Sequence, residues 1–398
     1  MQGNLKATVE GKKNDLGKEF QPKWWGETLG LYVHVPFCAT ACDFCAFYQV
    51  QTDRDGIRRY MDGMRDEAEA IFSDQGIDTC FWGGGTPGLL KAEDLDKLCD
   101  VVIDRFGRPK TEWSVEMAPS TVKADKLKVL KERGVTRISM GVQSFDDGLL
   151  DKLGRQHSQK QVLKAYNLIR DFEFDSVNLD LIFAIPGQDE QRLKADIRTA
   201  AALEPDHLST YCLTFEEDTA LFVQLSEGKV SIDQEMESRL YRTSWETMAE
   251  LGYEQYEISN YARPGKRCVH NVNTWNMDQW IGLGPSGASQ FRGRRYANVP
   301  DLTKWLEARD GPESGRVDES DLTPKLLLED CLIFGLRMND GVELDILKSR
   351  FNIGVTDKQA SILSQLEEDG KLVREGSRIH LTDDGRMIAD AIGAELME

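Results

Sequence analysis

No stretch of this 398-residue chain reaches the roughly 18 uninterrupted apolar residues that a membrane span needs. The polar segment Met1 to Lys12 likewise lacks the apolar core of a secretory signal. Positive charge is scarce: 49 lysines and arginines face 68 acids, for a net charge of −19. A surface of that sign repels phosphate backbones and anionic lipid heads, which excludes broad nucleic-acid binding and a polybasic membrane anchor. An anionic ligand therefore needs a local basic patch. Cysteine is sparse too, eight residues in all, too few for a disulfide scaffold. With no secretory signal, the expected compartment is a reducing cytoplasm. What is present is an ordinary globular balance, 40% hydrophobic and 29% charged, on a chain long enough for two or three domains.

From about Leu29, short β-rich runs alternate with longer helical patterns, as in parallel sheets built from βα units. The runs are Leu31 to Pro36, Thr79 to Gly83, Trp113 to Met117, Arg137 to Val142, Val177 to Ile185 and His207 to Thr214. With helical patterns between them and another over Gln234 to Leu251, they predict an α/β fold of six βα units. An open barrel and a doubly wound sheet both satisfy that pattern. In either, the loops at the carboxyl ends of the strands carry the chemistry. A cysteine cluster, Gly83-Gly84-Gly85-Thr86-Pro87, Glu116, Gln143, and Asp180 with Pro186-Gly187 all fall there.

Four segments are expected. Residues 1–26 form an N-terminal extension whose Trp24 and Trp25 pack on the barrel, and residues 27–255 form the core. Residues 256–322, rich in aromatic, Gly and Asn residues without clean periodicity, read as substrate-contacting structure. Residues 323–398 show helical patterns over Pro324 to Leu336, Glu343 to Arg350 and Asp357 to Glu368, a hairpin of Lys371 to Val373 with Arg378 to Leu381, and a last helix over Asp384 to Leu396. That order suits a winged-helix-like module. Without a basic stripe it reads as structural or partner-docking rather than DNA-binding.

Cys38-Ala-Thr-Ala-Cys42-Asp-Phe-Cys45 places three thiols in one loop after the first strand. Structural zinc normally takes four protein ligands, often a CxxC pair answered by a second pair far away, and no second pair exists. A cubane iron–sulfur cluster held by three cysteines leaves one iron open, which is useful when a small molecule binds there. His34, on the strand before the loop, reads as a hydrogen-bonding support beneath the cluster. The five remaining cysteines are scattered, most of them in apolar surroundings, and read as core residues.

CxxxCxxC, with Phe44 before its last cysteine, resembles the signature of the radical S-adenosylmethionine (SAM) enzymes. More narrowly, Tyr32-Val-His-Val-Pro-Phe-Cys38, Gly83-Gly-Gly-Thr-Pro87, Gly141-Val-Gln-Ser-Phe145, Leu153-Gly-Arg-Gln-His157, Asp180-Leu-Ile-Phe-Ala-Ile-Pro-Gly-Gln188, Tyr256-Glu-Ile-Ser-Asn-Tyr261 and His270-Asn-Val-Asn-Thr-Trp275 resemble the oxygen-independent coproporphyrinogen III oxidases and their relatives, the HemW-type haem chaperones. The likeness runs from about Leu31 to the C-terminus. It implies a partial (β/α)6 radical-SAM barrel with a C-terminal winged-helix-like α+β domain. It further implies a [4Fe–4S] cluster on Cys38, Cys42 and Cys45, whose open iron chelates SAM. By motif match, Tyr32, Phe44, Gly84, Gly85, Thr86, Glu116, Gln143, Arg155 and Asp180 line the cofactor pocket. Glycines let the backbone approach SAM closely, carboxylates suit its ribose and sulfonium, and Arg155 suits its carboxylate. Read singly, Glu116, Gln143 and Asp180 are ordinary strand-end polar residues. A buried strand should not hold an unpaired Asp180, however, and one shared rim favours function.

The same motifs serve oxidases, chaperones and a related group of radical SAM methyltransferases. Oxidases carry a further cysteine just after the third cluster cysteine, where this chain has Ala46-Phe47-Tyr48, and a longer N-terminal segment. His270-Asn-Val-Asn-Thr-Trp275 resembles the chaperones' HNxxYW, with Thr274 in place of tyrosine. At Gly284-Pro-Ser-Gly-Ala-Ser-Gln-Phe291 a histidine found in relatives near Ala288 is missing. The resemblance thus implies a haem chaperone, with propionate decarboxylation of coproporphyrinogen III or a related radical SAM methyl transfer as the alternatives. His270 would ligate haem iron, with Cys268 a second choice. Arg263, Lys266, Arg267, Arg292, Arg294 and Arg295 would clamp the tetrapyrrole's propionates. The expected partners are a haem-acceptor protein, on the family pattern a membrane respiratory enzyme, and an electron donor.

Overall fold

The computed structural model describes residues 26, 28–40, 42–51, 53–71, 76–308 and 315–397. The expected packing of Trp24 and Trp25 lies outside them. Six parallel strands run in chain order: β1 (Leu29–Val35), β2 (Thr79–Gly84), β3 (Glu112–Met117), β4 (Arg137–Gln143), β5 (Ser176–Phe183) and β6 (His207–Cys212). Their neighbours follow the same order without reversal. A doubly wound sheet reverses direction at a switch point, so the winding here is of the barrel type. The helices between strands include α1 (Arg54–Ala70), α2 (Ala92–Phe106), α3 (Ala124–Arg133), α4 (Asp147–Lys152), α5 (Gln159–Asp171) and α6 (Glu190–Ala201). Acidic N-caps fix several starts: Asp53 accepts from Gly56 N on α1 and Asp189 from Arg192 N on α6. After β6 come α7 (Ala220–Ser226) and α8 (Gln234–Glu250).

Residues 256–322 are built into this same sheet. Strands β7 (Glu254–Glu257) and β8 (Asn260–Ala262) add antiparallel beyond β6. Beyond them, helix α9 (Val269–Trp275) leads to β9 (Gln279–Leu283), which pairs parallel with the outer side of β1. Antiparallel β10 (Ala288–Phe291), β11 (Arg294–Asn298) and β12 (Arg316–Asp321) then continue to the far edge, with α10 (Leu302–Glu307) between the last two. The twelve-stranded order is β12-β11-β10-β9-β1-β2-β3-β4-β5-β6-β8-β7, so the barrel is open between β7 and β12. β9 was not visible as a strand in the sequence because it is short and no helix carries the chain into the next strand.

Alternation gives each barrel strand two chemically different faces. Leu29, Leu31, Val33 and Val35 of β1, with Trp82, Trp113, Ile138 and Met140, are fully or almost fully buried in the apolar core. The other face carries Tyr32, His34, Glu112, Glu116, Arg137, Ser139, Asn178, Asp180 and His207 into the lumen. These polar groups bond to one another. Asn178 donates to Ser139 Oγ (2.7 Å) and Asp180 Oδ1 (2.8 Å), and its carbonyl oxygen meets His207 Nδ1 at 2.6 Å. His207 Nε2 meets the Tyr256 hydroxyl at 2.8 Å, and that oxygen accepts from Cys268 N at 3.2 Å.

Cys268 opens α9, which closes the amino end of the lumen. Glu112 caps it: one carboxylate accepts from Cys268 Sγ (3.4 Å), Val269 N (3.0 Å) and His270 N (3.2 Å). A carboxylate beside the first N–H groups of a helix satisfies donors that have no partner within the helix.

The C-terminal part holds α11 (Pro324–Arg337), α12 (Leu344–Phe351) and α13 (Asp357–Glu368), then α14 (Asp383–Arg386) and α15 (Ala389–Leu396). Its small sheet joins β13 (Val342–Glu343), β14 (Leu372–Glu375) and β15 (Arg378–Leu381), with β15 central, a winged-helix-like plan. A second apolar core around Leu327, Leu332, Leu363 and Ile379 reaches back to Ile258 and Met277 of the connecting region. Among the described residues no helix is long and apolar enough to cross a membrane.

Replacing Glu112 leaves the first N–H groups of α9 unpaired in a buried setting. Glu112→Ala is expected to lower the unfolding free energy by about 2–3 kcal/mol in urea titrations. Glu112→Gln, which keeps an acceptor oxygen, should lose less.

Candidate functional site

The cysteine loop is anchored on both sides. Phe37–Cys38 pairs parallel with Val50–Gln51, and Val50 N donates to Pro36 O at 2.8 Å. Asp43 N donates to Leu153 O, and Asp43 O accepts from Leu221 N, which ties the loop to the segments after β4 and β6. Cys38, Cys42 and Cys45 are free, half-buried thiols. Burial pushes the Cys38 and Cys45 thiols up, while Arg155 draws both down. Cys38 Sγ lies 3.6 Å from Thr86 Oγ1. The three thiols are close enough for their charges to be coupled. Yet among the described residues no three His, Cys, Asp or Glu side chains converge tightly enough for a single ion. His34 has both ring nitrogens engaged, Nε2 by Tyr48 O (3.1 Å) and Nδ1 by the Tyr32 hydroxyl (3.2 Å), so it supports the loop from below.

Beside the cysteines, the turn after β2 crosses the end of β1. Gly85 N donates to Val35 O (2.9 Å) and Thr86 N to Phe37 O (2.8 Å). A Cβ on Gly85 would stand 2.8 Å from both Val35 O and Phe37 O, and Gly84 holds φ at +100°. Only glycine satisfies both positions, and the result is a bare backbone facing the rim.

Two carboxyls face each other across the lumen beneath that rim. Burial and then Asp180 push the Glu116 carboxyl up to about 8, against Arg137, which lowers it. Burial also raises Asp180, opposed by its bonds from Asn178 and Ser139. On the next strand, Gln143 adopts φ of +68° at a bulge in the β4–β5 register. A non-glycine residue in that region stores strain, and the bulge re-aims its side chain. Gln143 and Arg155 both lean over Gly141. The Arg155 guanidinium lies 5.6 Å over the Phe44 ring, and its buried Nε has no hydrogen-bond partner. His157, bonded to Val142 O at 2.9 Å, supports the strand end close by.

The structure therefore brings Tyr32, Cys38, Cys42, Phe44, Cys45, Gly84, Gly85, Thr86, Glu116, Gln143, Arg155 and Asp180 to one rim. Three thiols, a bare glycine turn, a carboxyl pair and an unsatisfied guanidinium N–H suit a cluster with an open iron and a zwitterionic, cationic ligand such as SAM.

His270 lies elsewhere. It is 6% exposed at the amino end of the barrel, with Nδ1 2.9 Å from Thr79 Oγ1 and its ring centroid 5.5 Å from that of Phe81. Burial pushes its imidazole down to about 4. The expectation of an imidazole offered to haem is not met in this conformation, because α9 turns that side chain toward the sheet. Cys268 is likewise buried against Glu112. Nor do the basic residues form a free clamp. Arg267 pairs with Asp340 and Glu254, Arg294 with Glu319, and Arg295 with Asp330, while Arg263 and Lys266 bond backbone carbonyls.

The other face of α9 opens on a cavity of about 490 Å3 between the barrel and the C-terminal part, lined among others by Tyr211, Asn271, Trp275, Phe334, Arg337 and Met397. Sequence reasoning missed all of these except the two on α9. One signal was available: Leu332-Ile333-Phe334 is too continuous an apolar run for a single buried helical stripe.

A carboxyl held above its ordinary value keeps its proton in the folded chain where the unfolded chain has lost it. Glu116 thus favours folding below about pH 4.5, and that contribution is lost as pH rises through about 8. Relative to Glu116→Gln, the wild-type unfolding free energy is expected to fall between about pH 5 and about pH 8. A difference that stays flat with pH would mean that the carboxyl titrates normally.

A family model described as the Radical SAM superfamily matches residues 32–200, and one described as the HemN C-terminal domain matches residues 322–388. The heme chaperone HemW of Bacillus subtilis is 32% identical over 375 residues, which cover 92% of this chain and 99% of that protein. The heme chaperone HemW of Mycobacterium tuberculosis is 30% identical, with 94% and 95% covered. Among solved structures, coproporphyrinogen III oxidase from Escherichia coli, described as a radical SAM enzyme, aligns with a TM-score of 0.81 at 22% identity over 93% of this chain and 90% of that one. At that identity the likeness speaks for the fold alone.

Proposed function

Because this chain belongs to the HemW-type family of radical SAM proteins, we propose that it binds haem and delivers it to an acceptor protein. The observation that carries this reading is the near-complete coverage, 99%, of a relative named for haem chaperoning. The family brings a [4Fe–4S] cluster and SAM as cofactors. Cys38, Cys42 and Cys45 would hold the cluster. When bound, it supplies a redox centre with one iron open to the amino and carboxylate groups of SAM.

The chain's own residues divide the remaining work. Gly84 and Gly85 admit the amino-acid end of SAM against bare backbone, and Arg155, oriented by Phe44, accepts its carboxylate. Glu116 and Asp180 balance its positive charge, Gln143 and Tyr32 complete the walls, and Thr86 sits beside Cys38. Haem meets the face of α9 that carries Asn271 and Trp275. His270 acts behind that face, seating the helix against Thr79. The acceptor, by family pattern, is a membrane respiratory enzyme, an electron donor serves the cluster, and the setting is the cytoplasm.

Anaerobic reconstitution followed by metal analysis and hemin titration, beside a coproporphyrinogen assay, tests this. The expected result is about four irons per chain, no zinc, saturable haem binding and no decarboxylation. Stoichiometric zinc without iron, or conversion of coproporphyrinogen to protoporphyrinogen, would overturn it. His270→Ala is expected to weaken haem binding together with thermal stability; loss of an imidazole signature at unchanged stability would make His270 an iron ligand instead. Arg155→Ala should weaken SAM binding by roughly 10- to 100-fold in equilibrium dialysis, the size of a lost charge-assisted bond.

A further inference from the structure

Resting on the reading that this chain carries haem, we propose that its seat is the cavity of about 490 Å3 between the barrel and the C-terminal part, and that the seat adjoins the SAM pocket through Tyr211. The volume lies within the range of cofactor sites. Trp275 on α9 and Phe334 on α11 give it aromatic walls, and Gly393 and Ala394 on α15 keep the facing helix surface low. Phe334 and Met397 are exposed here, apolar surface that a bound macrocycle would cover.

The polar edge suits a carboxylate-bearing ligand. Arg337 bridges Glu257 and Asp390. Glu257 is buried and also held by Ser259 N (2.9 Å) and Asn260 Nδ2 (2.8 Å), so it stays in place. The Asp390 side chain is 91% exposed, and an ion pair so open to water contributes little. A propionate can therefore displace Asp390 and bond the Arg337 fork. A flat apolar body with carboxylates at one edge is the description of a tetrapyrrole.

Tyr211 joins the two sites. Its side chain is open to the cavity, at 41% exposed, and on β6 it shares the lumen face with Ser209, which stands in register with Asp180. A ligand in the cavity thus touches the same strand face that meets Asp180 of the SAM pocket.

The test is hemin titration of the anaerobically reconstituted full chain, with iron content and SAM binding as controls. Ala394→Trp, on an exposed position, fills the cavity and is expected to raise the hemin Kd by tenfold or more. Trp275→Ala, which removes an aromatic wall, should raise it by about 3- to 10-fold. Iron content and SAM affinity should not change in either. Wild-type hemin affinity in both variants would overturn the seat and leave the chaperone reading standing. A wild type that binds cluster and SAM but no hemin would overturn both. If Ala394→Trp fails to fold, Trp275→Ala decides.

Discussion

One chain of hydrogen bonds fixes the interior of this protein, and the candidate site at its carboxyl end depends on it. It runs from Asp180 through Asn178 and His207 to the Tyr256 hydroxyl and the N–H of Cys268, which caps α9. The directions are consistent: Asn178 donates to Asp180, His207 donates from Nδ1 and accepts at Nε2, and Tyr256 donates to His207 while accepting from Cys268. Burial holds His207 far below the ordinary imidazole range, so it remains neutral, the form that can do both. Such a row tolerates no unpaired member in a lumen shielded from water. Most barrels of this kind fill the interior with branched apolar layers. Here polar side chains fill it, and at its carboxyl end the buried Nε of Arg155 is left without a partner.

Those groups explain why the rim is a site rather than a decorated loop. Burial raises both carboxyls against the pull of Arg137, Asp180 raises Glu116 further, and a guanidinium N–H stands buried without an acceptor. A cationic ligand with its own carboxylate relieves both at once. Beside them, three thiols holding a four-iron cluster would leave one iron for that ligand. Burial, which raises the Cys38 and Cys45 thiols, also makes them poor surface nucleophiles.

Local chemistry was legible in the sequence wherever the deciding residues are close along the chain. The cysteine loop, the glycine turn after β2 and the strand-end acids were all found at their carboxyl rim. The order of β1 to β6, which separates barrel from doubly wound sheet, is a long-range fact that periodicity does not encode. His270 shows the same limit at one residue. Its neighbours Asn271 and Trp275 do face the cavity, but one helical step turns the imidazole toward Thr79, and that rotation is set by Glu112, a residue far away in sequence. The expected basic clamp failed for a related reason: on so acidic a chain, arginines near one another found carboxylates first.

An open sheet of twelve strands has an end, and at β12 that end is Arg316–Asp321, whose last four residues are exposed. A bare strand edge is a template on which other chains can add. Asp318, Glu319 and Asp321 lie along it, the last two within reach of Arg294, and a second copy approaching in register meets the same acids. The same acidic excess that repels phosphate thus also weighs against edge-to-edge growth of the sheet.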